Sequence, residues 1–234
     1  MPGGYSIADI EAMHDAAAAL VAAQTEMVAA GSAPLADILG STRKFREWDH
    51  VPPGDARDPQ SGGQVYYHAH AAHERAPGEH GHFHLFLRPP LAGTMPEPDA
   101  RYPHADPHPP SDRIAHLVAI SLDAHGVPFR LFTTNRWVCD ETWYQAADVI
   151  ALLPRFSVAN APTPPRLNRW LDAMTVLFRP QIEHLLHARD AAIAQAHANG
   201  NADVLEDRAL HILSETPIAL APRIAAIERA LGIS

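Results

Sequence analysis

Apolar residues change their spacing twice along the chain. From Ser6 to Ala30 they recur at helical intervals, at Ile7, Ile10, Met13, Ala17, Leu20, Val21 and Met27, which predicts an amphipathic helix. Ser6 followed by Asp9 is a capping pattern and puts an acid where the helix dipole favours one. Gly31 and Pro34 predict its end. Between Gln64 and His70 the period drops to two. Val65, Tyr67 and Ala69 fall on one side, and Gln64, Tyr66, His68 and His70 on the other. His82–Arg88 alternates in the same way, with Phe83, Leu85 and Leu87 opposing His82, His84 and Phe86. Both stretches predict strands with one apolar face. Ile114–Leu122 is apolar on both sides, the pattern of a central strand. Asp123-Ala124-His125-Gly126 is a turn signal, and Val127–Thr134 follows as its hairpin partner.

The stretch Arg43–Ser61 is rich in Pro, Asp and Gly and predicts an ordered loop. Pro89–Asp112 holds eight prolines, which exclude regular structure and predict a lid, a binding loop or a covering arm. Beyond Thr142 the spacing is helical again. Ala146–Leu153 stops before Pro154, and a long helix opened by Pro164 or Pro165 runs to about Ala198, divided by Pro180. Ala202–Leu213 and Pro217–Leu231 predict two more helices. The expected fold is α+β: a small antiparallel sheet of about four strands, packed against and wrapped by helices at the N- and C-terminal ends. One domain is expected over 1–234, with an N-terminal helix in 1–40, a His-rich β region in 43–138 carrying the Pro-rich loop 89–112, and a helical region in 142–234.

Composition narrows the function. Apolar residues make up 47% of the chain, enough to build a core. The formal net charge is −9, and the densest basic stretch is Arg43-Lys44-Phe45-Arg46; neither fits a nucleic-acid partner. Ala16–Ala23 is far too short to span a membrane. Cys139 is the only cysteine, so no disulfide can form within the chain. The N-terminus lacks a basic leader region, and a cytoplasmic protein is expected. Oligomeric state leaves no mark on the sequence.

The candidate chemistry lies in residues 68–84, HAHAAHERAPGEHGHFH, where six of seventeen residues are histidine. His68 with His70 and His82 with His84 are two His-x-His pairs on predicted strands. Residues i and i+2 of a strand share a face, under ~7 Å apart, and two imidazoles there can lean toward one ion at ~2.0–2.1 Å. If the strands pair antiparallel, the two pairs form a square of four nitrogen donors. His116 is a further candidate ligand whose face depends on register. Glu79 and Glu74 lie in the connecting loop; Glu79 is the candidate catalytic carboxylate and a reserve ligand. Tyr66 shares the face of His68 and His70, so it is a candidate catalytic phenol or a donor behind the ligands. Arg88 and Arg136 are candidate anion-binding groups for a small-molecule substrate. Glu183, His184, His187 and Asp190 share one helix face, which reads first as a solvated face.

Neutral imidazoles without a thiolate pair favour one transition metal ion, Fe, Cu or Zn, over Mg or Ca. The leading expectation is a metal-dependent enzyme acting on a small molecule. Oxidoreductase or oxygenase chemistry ranks above hydrolysis, because no general-base carboxylate is evident inside the cluster. The alternatives are a non-catalytic metal carrier or sensor, a metal-free acid–base site, and a structural protein whose imidazoles bond one another.

Two resemblances accompany these residues. Gly62, His68, His70, Glu74 and Gly81 reproduce the spacing of the first cupin motif, which implies a metal-binding β-barrel; the loop after Glu74 departs from the cupin pattern, and no second motif follows. The block from Tyr66-Tyr67-His68-Ala69-His70 to Glu79-His80-Gly81-His82-Phe83-His84 resembles an uncharacterised family of bacterial proteins, from about Trp48 through Trp137-Val138. That likeness implies that the block is one unit, and it implies no activity.

Overall fold

The computed structural model describes residues 4–40, 45–89 and 95–233. Arg43 and Lys44 of the basic stretch and residues 90–94 of the Pro-rich loop lie outside them. The elements are α1 (Ile7–Ala29), α2 (Pro34–Leu39), β1 (Val51–Arg57), β2 (Gly63–His68), β3 (Gly81–Leu87), β4 (Ala115–Leu122), β5 (Pro128–Thr134), α3 (Arg136–Cys139), α4 (Ala146–Leu152), α5 (Pro165–Leu177), α6 (Arg179–Ala198), β6 (Ile212–Pro217) and α7 (Leu220–Leu231). The fold is mixed α+β. Six strands pair antiparallel in sequence order, β1 to β6, as an open meander with β1 and β6 at its edges. The cupin resemblance implied a closed barrel, which this topology is not.

The sheet therefore has two strands more than expected, both at edges. β1 includes Pro52, Pro53 and Gly54, with a register shift between Val51 and Ala56. Proline has no N–H to donate, so a sheet accepts it at an edge, where a sequence reading sees only a loop. The helix expected over Ala202–Leu213 does not form, and β6 starts at its last two residues, so the C-terminal region 142–234 is not wholly helical. A short 3₁₀ turn at Val204–Glu206 precedes it, and pairing to β5 overrides local propensity.

The helical expectations hold where caps and periodicity agree. Ser6 caps α1 through a reciprocal box with Asp9, with Ser6 N–H donating to Asp9 Oδ2 at 2.9 Å. α5 and α6 meet at Phe178, just before Pro180, as the single dividing proline predicts. One face of the sheet, carrying Val65, Tyr67, Phe83, Leu85, Val118, Ile120 and Leu131, packs with Leu20 and Met27 of α1 and Leu167, Trp170 and Met174 of α5 in one apolar cluster. Each large side chain fully buried in this way contributes about 1.5–3 kcal/mol. Ser214 of β6 donates to the Leu185 carbonyl of α6 at 2.8 Å, and Thr133, its register partner on β5, is an odd-numbered residue of that strand, as Leu131 is; α6 covers this same side. His184 and His187 of α6 are exposed and take no part in the histidine cluster.

The other face of the sheet is left to the histidines. Loop 45–50, α3 and His211 cover it: Trp48 stacks on His70 at 4.2 Å, His50 stacks on Tyr66 at 3.7 Å, and His211 stacks under Trp137 at 5.4 Å. The described part of the Pro-rich arm runs elsewhere. Asp99 N–H donates to the Trp143 carbonyl, and Tyr102 and Ala105 bury against Trp143 and Ile193, so the arm covers a second apolar cluster. Among the described residues of that arm, His108 and Asp112 reach the pocket beside the histidines. Among the described residues, no helix is long and apolar enough to cross a membrane.

Candidate metal centre

Register decides which imidazoles meet. β2 and β3 pair with His68 opposite His82 and Tyr66 opposite His84. A square of four donors needs His70 opposite His82 instead, so the square does not form. His70 lies two residues beyond β2, and its ring packs between Trp48, at 4.2 Å, and His211, at 5.8 Å. Three of the four predicted strand imidazoles do converge. His68, His82 and His84 are buried and offer ring nitrogens that all lie within 4.8 Å of one another. The Nε2 atoms of His68 and His82 are 2.8 Å apart. A tetrahedral ion would set two such nitrogens ~3.3 Å apart, so the rings need to part only slightly to receive one.

Gly81 makes this approach possible. A Cβ there would lie 2.4 Å from the His68 carbonyl oxygen and 2.7 Å from the Tyr67 hydroxyl. Only glycine lets β2 and β3 close up beside the His68–His82 pair.

His116 joins through a bulge. β3 and β4 pair as His82 with Ser121 and His84 with Ala119, then shift so that Phe86 meets His116. The extra residue, Leu117, reverses the inward parity of β4. His116 thus turns onto the histidine face, with Nε2 3.0 Å from His84 Nδ1. The thiol of Cys139 arrives from α3, a single turn capped by the Asn135 side chain directly after β5. Its Sγ is 3.4 Å from His84 Nδ1, and His84, His116 and Cys139 form a second group of convergent donors. No partner for Cys139 is legible in the sequence, because α3 is too short to register in a periodicity.

Glu79 stands behind the imidazoles. Its Oε1 accepts from His82 Nδ1 at 2.5 Å, and its Oε2 accepts from Arg130 at 2.8 Å and from the Ala76 N–H at 3.2 Å. A carboxylate on Nδ1 fixes the His82 proton there and leaves the Nε2 lone pair facing His68. Burial works against ionisation of Glu79, but the His82 and Arg130 contacts outweigh it and hold its carboxyl below the usual range. Arg130 reaches this point because it shares the histidine face with Phe132; its register partner is Ser121. The sequence reading did not single it out.

The imidazoles are held neutral. Burial, aided by the neighbouring rings of His82 and His70, lowers His68 to about 2. Burial and the charge of Arg189 lower His116 to about 3, and burial lowers His70 to about 4. Burial also lowers His82 and drives His84 well down. Burial pushes the Cys139 thiol up to about 12. Neutral imidazole is the form that ligates metal.

The remaining candidates lie around this cluster. Tyr66 stacks between His50 and Phe86, its hydroxyl 3.9 Å from Cys139 Sγ, and burial raises its phenol far above the ordinary range. Arg88 donates to Gln64 Oε1 at 2.6 Å and to the Asp112 carbonyl at 3.0 Å. It lines a cavity of about 500 Å³ shared with His50, Tyr66, Phe86 and Cys139. On the other side of the imidazoles, a cavity of about 30 Å³ touches His70, Glu79, His82 and Arg130. Arg136 lines neither. It is buried in ion pairs with Glu206, at 2.6 Å from Nε, and Asp140, at 3.1 Å. Glu74 is exposed at the rim of the smaller cavity.

The family described as Domain of unknown function (DUF6969) matches residues 14–218, and the chain belongs to it. No curated protein and no solved structure is significantly similar to the chain.

Proposed function

We propose that this member of the DUF6969 family is a metal-dependent enzyme acting on a small molecule, with one transition metal ion held by His68, His82 and His84. The observation that carries the reading is the convergence of three buried, neutral imidazoles on one point, with Glu79 orienting His82 from behind. Three protein ligands and an open position form a reactive arrangement, not a closed structural one. Bound there, Fe or Cu would supply electron transfer and Zn a Lewis acid.

The chain's own residues fit oxidoreductase chemistry better than hydrolysis. Hydrolysis calls for a free carboxylate beside the metal, and Glu79 is committed to His82 and Arg130. Its part is therefore to position His82. The cavity of about 500 Å³ offers room for a substrate, with Arg88 as an anion-binding group and Tyr66 in its wall. Arg136, tied into its ion pairs, serves the fold. A single thiol suits a reducing compartment, and the cytoplasm is the proposed setting.

A non-catalytic metal carrier is the second reading. It is favoured by the burial of all three ligands and by the small volume beside His82. Azide added to the metal-loaded protein divides the two. A shift in the metal's absorption or EPR spectrum requires an exchangeable position and supports the enzyme; an unchanged spectrum supports the carrier.

A further inference from the structure

The reading above leaves Cys139 and His116 unused. Their geometry is as tight as that of the first group. Cys139 Sγ is 3.4 Å from His84 Nδ1, and His84 Nδ1 is 3.0 Å from His116 Nε2. A tetrahedral ion with one sulfur and two nitrogen ligands sets the S–N pair ~3.5 Å apart and the N–N pair ~3.3 Å apart. The other polar neighbours of the sulfur are weak ones: Thr134 Oγ1 at 3.5 Å and the Tyr66 hydroxyl at 3.9 Å. Such contacts do not explain why the only thiol of the chain should be packed against two buried imidazoles.

We propose that Cys139, His84 and His116 hold a second transition metal ion, separate from the ion between His68 and His82, with Cys139 in the wall of the cavity of about 500 Å³. The proposal rests on the histidine face being a metal centre. His84 is the shared residue. Its Nδ1 faces the thiol and His116, which leaves Nε2 for the first ion. Two imidazoles and a thiolate suit Cu or Zn. Binding at the second position converts the Cys139 thiol to a thiolate. With both ring nitrogens of His84 ligated, its N–H proton is lost as well, so filling both positions releases two protons from these residues to solvent.

The placement matters because the two cavities differ. The volume beside His82 holds about one water, whereas Cys139 lies in the wall of the larger cavity with Tyr66, Phe86 and Arg88. Cys139 therefore gives the second position contact with the cavity proposed to receive the substrate.

Cobalt(II) titration of the full-length, metal-free protein tests this, because thiolate ligation produces a near-ultraviolet sulfur-to-cobalt charge-transfer band. The wild type is expected to bind two equivalents and to show the band. Cys139→Ser, nearly isosteric and checked by thermal unfolding, should bind one equivalent without the band. His68→Gln, which retains bulk and a polar end, should bind one equivalent and keep the band. The proposal is overturned if the wild type shows no band at saturation. It also falls if Cys139→Ser binds as many ions as the wild type, or if His68→Gln loses the band, which would mean a single shared ion. One equivalent without a band would remove the second position and leave the first; no cobalt binding at all would remove both.

Discussion

Glu79→Gln is the sharpest probe of how the site is held. The amide keeps an oxygen for His82 Nδ1, now 2.5 Å from a carboxylate oxygen, but turns its –NH₂ toward Arg130, which donates to Oε2 at 2.8 Å. Two effects follow. The bond to His82 becomes neutral, falling from about 1.5–3 to about 0.5–1.5 kcal/mol. The loss of about 1.4 kcal/mol is a tenfold weakening of metal affinity, at the lower end of the 10–100-fold range for residues behind metal ligands. One arm of Arg130 also loses its partner in a buried setting, which costs about 1–3 kcal/mol, although Glu215 still accepts from the guanidinium at 2.8 Å. For a chain of this size that lowers Tm by roughly 2–4 °C per kcal/mol. Zinc affinity is measured by competition with a chromophoric chelator, and stability by thermal unfolding of the metal-free protein. Unchanged zinc affinity with lowered Tm would refute the positioning role and reduce Glu79 to a partner of Arg130.

The metal-free protein should lose stability in acid. Buried imidazoles with lowered values, such as His68 and His116, stay neutral in the fold while the unfolded chain takes up protons near 6.5. Their contribution is complete above that pH and declines as pH falls toward the folded values, by about 1.4 kcal/mol per imidazole at pH 5.5; urea unfolding at pH 7.5 and 5.5 in chelator measures it, and equal stabilities would contradict it. Gly81→Ala should part β2 from β3, destabilise by about 1–3 kcal/mol and abolish metal binding, because its Cβ meets the His68 carbonyl oxygen at 2.4 Å. Retention of metal at wild-type affinity would show that the strands need not touch there. Arg136→Leu should lower Tm and leave metal content intact, since its partners are Glu206 and Asp140; loss of metal would tie it to the site after all.

How far the sequence reaches follows from which physical signals are local. The Ser6–Asp9 cap, the alternation in β2 and β3 and the Asp123–Gly126 turn are set by near neighbours, and each is legible. Gly126 has φ of 80°, and Asp123 Oδ1 accepts from the His125 and Val127 N–H groups, so the turn is built as its residues suggest. The edge strands are not legible, because prolines in β1 mimic a loop and β6 gains its form from β5. The site divides in the same way. Parity puts His68, His82 and His84 on one face, but only the register shows that His68 meets His82, while His70, its ring 5.1 Å from that of His82, is not in the group of convergent nitrogens. The bulge at Leu117 that brings in His116, and the single turn that brings in Cys139, are tertiary facts. The role of Glu79 is another: its loop position reads as a reserve ligand, whereas its hydrogen bonds make it the anchor of His82.

The central claim is that three imidazoles hold a metal ion. Its most direct test is elemental analysis of protein purified without a nickel column, comparing the wild type with the His82→Ala/His84→Ala double variant. At least one equivalent of Fe, Cu or Zn in the wild type and none in the variant is the predicted result. A wild type that carries no metal and takes up none when reconstituted, or a variant that keeps its full complement, would contradict the account.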